Sequence, residues 1–136
     1  MKFLDTNVFV YLVDDRDPSK QGRARSIIAE ALGNPQYLIS GQVLNEFANV
    51  AMKKLALTEE EVLAYITEFR CIKTVETRSC LTDRALGVKK EYGLQFYDSL
   101  VLATAEAYEC DELLTEDLNE GQVYGGVRVV NPFRDR

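Results

Sequence analysis

Short apolar runs alternate along this chain with longer stretches whose apolar residues recur every three or four positions, and this alternation constrains the fold more than any other feature. Residues 2–5, 37–40, 71–75, 112–115 and 127–130 read as strands. The first helix is expected to run through Val13, with Thr6 and Asn7 supplying the capping side chains. After a polar loop over 14–19, helical spacing resumes over 20–32 and stops at Gly33-Asn34-Pro35. Val43, Phe47, Val50, Ala51 and Leu55 line one face of a helix that begins after Ser40-Gly41. Thr58 with Glu61 three residues on is a capping-box signature for a helix reaching about Phe69. Helices are also predicted over 77–91, ended by Gly93, and over 96–109, while 116–126 reads as a polar loop. The pattern predicts one α/β domain over residues 1–136, with a short, mostly parallel central sheet flanked by helices on both faces. In such sheets ligands bind beyond the carboxyl ends of the strands.

Asp5 stands at one of those ends, between apolar Phe3-Leu4 and the run from Val8 to Val13. Asp98 opens a helix and has Val101, Leu102 and Ala105 at the i+3, i+4 and i+7 positions, so its side chain projects along an apolar face, an expensive place for an unpaired charge. Asp117 lies two residues beyond the strand over 112–115, and Glu46 lies at the margin of a helix's polar face. Each acid also has an ordinary structural reading: a cap or buried ion pair for Asp5, a favourable dipole contact for Asp98, a turn for Asp117, a solvated helix face for Glu46. Their joint placement points instead to one rim of the sheet, where carboxylates within ~4 to 6 Å raise one another's pKa unless a cation compensates them.

The chain has no histidine, which removes Ser-His-Asp and Cys-His catalysis, imidazole acid–base pairs and most zinc sites. Oxygen ligands of the kind available suit Mg²⁺ or Mn²⁺. Cys71, Cys80 and Cys110 are odd in number and widely spaced, as reduced thiols would be. With no run long enough for a transmembrane helix and no signal-peptide pattern, a cytoplasmic protein without membrane association is expected. The net charge of -6 argues against a broadly basic nucleic-acid surface, although Arg16, Lys20, Arg23, Arg25, Lys53 and Lys54 could line a local groove or simply face solvent.

The blocks "FLDTNVFVYL", "ISGQVLNEF", "LQFYDSLVLATA" and "LLTEDLNEG" resemble, in order and spacing, those of PIN-domain ribonucleases, and the short chain resembles the VapC-type toxins of toxin–antitoxin pairs. The resemblance implies a PIN-like three-layer sandwich and a metal-dependent endoribonuclease that cuts single-stranded or structured RNA, leaving a 5′-phosphate and a 3′-hydroxyl. It implies that Asp5, Glu46, Asp98 and Asp117 are the catalytic acids and hold Mg²⁺ or Mn²⁺. Asp5 and Asp98 would be primary ligands, Glu46 a ligand or an orienter of the attacking water, and Asp117 a ligand to a second metal or through water. Thr6, Asn7 and Thr115 would fix the carboxylates by hydrogen bonds; Asn119 stands where some relatives carry a further acid. A small antitoxin and a homodimeric assembly are the partners the resemblance implies. The competing reading, a catalytically silent PIN-like module that binds RNA or protein, would be marked by loss of a quartet acid, and all four are present. Phosphatases with an Asp after the first strand need a second Asp two residues later, where this chain has Asn7.

Overall fold

The computed structural model describes residues 1–134. Its elements run in the order β1 (Lys2–Leu4), α1 (Thr6–Val13), α2 (Pro18–Ala31), β2 (Tyr37–Ser40), α3 (Gly41–Lys54), α4 (Glu59–Phe69), β3 (Lys73–Val75), α5 (Cys80–Tyr92), α6 (Phe96–Ala107), β4 (Glu112–Leu114), β5 (Val123–Tyr124) and β6 (Val127–Val130). The strands form one sheet in the order β3-β2-β1-β4-β6-β5, parallel throughout except for the β5–β6 pair. Successive strand residues point to opposite faces, and in β1 both Phe3 and Leu4 are fully buried, so helices cover the sheet on both sides. None of the helices among the described residues is long and apolar enough to cross a membrane.

Phe9 of α1, Phe47 of α3 and Phe69 of α4 meet edge to face, with centroids 4.6 Å apart for Phe9–Phe69 and 5.0 Å for Phe47–Phe69. This aromatic knot pins α1, α3 and α4 together at the side of β1 and β2. A smaller apolar cluster of Leu81, Ala85, Leu100 and Ala103 joins α5 to α6.

Several boundaries differ from those the sequence predicts. The cap of α1 is Asp5, whose carboxylate accepts the Thr6 amide at 2.8 Å, so the sheet's first acid takes the role expected of Thr6 and Asn7. Helix α2 starts at Pro18, because the Asp17 side chain caps it and proline is pre-set for the first turn. Helix α5 starts at Cys80 rather than at residue 77. Strand β5, inside the stretch read as a loop, pairs with β6 across Gly125-Gly126. Gly125 has φ +60°, a left-handed conformation that favours glycine; a Cβ there would also lie 2.6 Å from a Glu106 carboxylate oxygen, which a shift of that flexible side chain relieves.

Candidate metal centre

The strand order places the acids. Parallel β1 and β4 are neighbours, with Leu4 opposite Leu114, so the segments leaving these two strands emerge side by side at the sheet's carboxyl edge. Asp5 comes directly after β1; Thr115 and Asp117 come after β4. Helix α6 precedes β4 and must run back across the sheet to feed it, which puts its first turn, and Asp98 with it, at the same edge. Helix α3 leaves the carboxyl end of β2 and brings Glu46 alongside α1.

Carboxylate oxygens of Asp5, Asp98 and Asp117 lie within 4.8 Å of one another. Asp5 is buried, Asp98 half-buried and Asp117 exposed, so the group opens from the sheet edge to solvent. Burial pushes the Asp5 carboxyl up to about 7; the Thr6 amide and Thr115 hydroxyl oppose that rise, and the charges of Asp117 and Glu46 add to it. Asp98 is raised as well, first by burial and then by Asp117 and Glu46. Among the described residues, none of the ion pairs involves Asp5, Glu46, Asp98 or Asp117. These anions are therefore mutually uncompensated.

A hydrogen-bond frame holds them. The Thr115 hydroxyl donates to Asp5 Oδ2 at 2.9 Å and accepts from Asn7 Nδ2 at 3.1 Å and from the Asp117 amide at 3.1 Å. Asn7 Nδ2 also donates to Asp117 Oδ2 at 3.2 Å. Glu46 stands beside the close group rather than in it: Thr6 Oγ1 donates to one of its oxygens at 3.0 Å and Gln42 Nε2 to the other at 2.5 Å. Thr6, Asn7 and Thr115 thus lie among the acids. Asn119 is exposed, and its amide donates to Gln122 Oε1 at 2.9 Å within its own loop.

Sequence reasoning missed Gln42, whose spacing four residues before Glu46 on α3 was the available signal. It also missed Glu116, which accepts from Tyr11 Oη at 2.5 Å and from Lys20 Nζ at 3.0 Å. Of the basic residues considered for a groove, Lys20 is therefore tied to Glu116, Arg16 is forked onto Asp14, and Arg23 Nε donates to the Pro132 carbonyl. Arg16 and Lys54 share a cleft with Thr6, Asn7, Glu46 and Asp117.

The donor set fits a hard divalent cation: three converging carboxylates, a fourth beside them, and the buried Asn7 Oδ1, an acceptor left without a hydrogen-bond partner. A cation would turn the mutual repulsion of the acids into attraction.

Known proteins share this architecture. A family model described as "PIN domain" matches residues 2–124. None of the curated proteins matches. Among solved structures, a toxin–antitoxin complex from Klebsiella pneumoniae contains a chain with a TM-score of 0.73 at 22% identity, covering 97% of this chain and 98% of that one. Mycobacterium tuberculosis VapC20, a sarcin–ricin loop cleaving toxin, gives 0.70 at 16% identity, covering 86% and 90%. A chain of VapBC2 from Rickettsia felis, bound to a DNA fragment from their promoter, gives 0.66 at 19%, covering 94% and 96%. At these identities the likeness is one of fold.

Proposed function

The chain belongs to the PIN domain family, and on that premise we propose that it is a metal-dependent endoribonuclease of the VapC type, the toxin of a toxin–antitoxin pair. The observation that carries the reading is the convergence of Asp5, Asp98 and Asp117 within 4.8 Å, with none of them in an ion pair among the described residues. Such a group is costly to the fold, and a bound cation would offset that cost.

Asp5, Asp98 and Asp117 would hold Mg²⁺ or Mn²⁺. A bound ion of that kind supplies Lewis acidity, acidifying a water and polarising the scissile phosphate. The protein's own residues do the positioning. Thr6 and Thr115 fix the two Asp5 oxygens separately, so that carboxylate keeps one rotamer. Asn7 holds Asp117 to the rim. Glu46, with both oxygens anchored by Thr6 and Gln42, orients the attacking water. Arg16 and Lys54, in the adjoining cleft, face an anionic strand entering from solvent.

The similar chain from Klebsiella pneumoniae belongs to a toxin–antitoxin complex, and that from Mycobacterium tuberculosis is a sarcin–ricin loop cleaving toxin, which supports a small antitoxin as partner and single-stranded or structured RNA as substrate. The test is incubation of purified protein with a mixed single-stranded RNA pool and Mn²⁺ or Mg²⁺. Cleavage is expected, lost on chelation and in Asp98→Asn, which keeps the fold. Cleavage that survives chelation, or no cleavage at saturating metal, overturns the reading.

A further inference from the structure

A second recess adjoins the acids. It has a volume of about 700 Å³, is lined by Gln42, Asn45, Glu46, Glu76, Thr77 and Tyr97 among others, and lies between α3, the segment after β3 and the first turn of α6. That volume is within the roughly 300–1,000 Å³ of ligand pockets. Its wall shares Glu46 with the carboxylate site, and Tyr97 precedes Asp98 in the chain. A base held here would neighbour a phosphate at the acids, since Glu46 belongs to both walls.

We propose that this recess is a base-reading subsite for guanine in single-stranded RNA, with Tyr97 as its stacking platform. The inference rests on the nuclease reading for the position of the phosphate, but its chemistry is read from the recess itself. Tyr97 is 65% exposed although its ring is large and its neighbour in the chain is a site acid. Single-stranded RNA is recognised by stacking splayed bases on such rings and by hydrogen-bonding their edges. Gln42 Oε1 and Thr77 Oγ1 are buried without hydrogen-bond partners, and both residues line this recess. Buried orphans of this kind take a hydrogen bond from an ordered water or from a ligand that displaces it.

The orphans also say which base. Gln42 turns one amide N–H to Glu46, and its orphaned buried atom is the amide oxygen, an acceptor. Glu46 and Glu76 add carboxylates to the lining, which includes neither lysine nor arginine. Such a wall repels phosphate and asks for N–H donors. Guanine alone presents two adjacent donors, N1–H and the N2 amino group, on its Watson–Crick edge; adenine and cytosine offer one amino group beside an acceptor, and uracil one imide N–H between carbonyls. An arginine side chain would also donate to these acceptors and stack on the ring, so an arginine peptide enters the test as the competing ligand.

Two arms test this. First, the full chain in chelator is titrated with each of the four ribonucleosides, monitored by amide chemical shifts. Guanosine is expected to move the signals of residues 42, 77 and 97 and to bind about five- to 100-fold more tightly than the others, a preference lost in Tyr97→Ala and kept in Tyr97→Phe. Second, cut sites are mapped with Mn²⁺, where guanine next to the cut is expected in the wild type and not in Tyr97→Ala. Guanosine selectivity without cleavage would sink the hydrolytic reading and leave the subsite standing. Cleavage with no guanine preference, nucleosides bound alike or not at all, or an arginine peptide taking the recess while guanosine does not, would overturn the subsite.

Discussion

Asp5 accepts the Thr6 amide as a helix cap and the Thr115 hydroxyl as a rim anchor, and both bonds favour its charged form; burial nonetheless carries its carboxyl to about 7. In the unfolded chain this group ionises near 3.8. From about pH 4 to 7 the folded protein therefore keeps a proton that the unfolded chain has released, and stability falls as pH rises through that window. In chelator, urea melts should show wild-type protein less stable at pH 8 than at pH 5 by on the order of 2 kcal/mol, with Asp5→Asn flattening the profile. Asp14 has the opposite sign, held down to about 2 by the Arg16 guanidinium, but its contribution is lost only as pH falls below about 4 and does not enter this comparison. A metal-free stability that rises from pH 5 to 8 would refute the assignment of a strained Asp5. Glu46 rested on the family resemblance, while Asp5 and Asp98 were legible from their apolar neighbours and Asp117 from a strand end. Gln42 was not: an amide on a half-polar helix face differs from its neighbours only once Glu46 is known to need holding.

Element boundaries were readable where one side chain sets them. The Thr58–Glu61 box that the spacing predicts is present on both arms, with Glu61 Oε1 accepting the Thr58 amide at 3.0 Å and Thr58 Oγ1 accepting the Glu61 amide at 3.2 Å. Because α4 carries Phe69 of the aromatic knot but none of the acids, Thr58→Ala should cost about 1 kcal/mol in a denaturant melt and leave RNA cleavage unchanged. A loss of activity at full stability would mean that α4 touches the substrate. Boundaries failed where periodicity and chain direction part company. Strand β5 has two residues, too few for an alternation to show, yet Val-Tyr-Gly-Gly-Val carries the glycine pair of a hairpin turn, a signal that turn chemistry could have supplied. Thr77, Arg78 and Ser79 are all polar and carry no spacing that marks a helix start; helix begins at Cys80, and Thr77 is left to line the recess beside α6.

At the scale of the whole molecule, the sheet order sets where a site can form. From β1 the chain crosses to β2 on one side, while β4 closes on the other, so the segments leaving β1 and β4 diverge and open a crevice at their shared edge. No local pattern encodes that adjacency, since β1 and β4 are more than a hundred residues apart; the sequence could mark strand ends but not which ends meet. The crevice collects four of the chain's acids, none of them in an ion pair among the described residues, in a protein already at net charge -6. Folding without metal must then work against their repulsion, so removing one acid should help the metal-free fold. Asp98→Asn is expected to gain about 1 kcal/mol in chelator, or about 3 to 5 °C in Tm for a chain of this size. Mn²⁺ should reverse the ranking. At 100 times its dissociation constant the ion adds ~2.7 kcal/mol to the wild type, while the variant, lacking one carboxylate, gains much less. Thermal melts of both proteins with and without Mn²⁺ read all four states, and a variant that melts below wild type in chelator would show that Asp98 serves the fold rather than a cation.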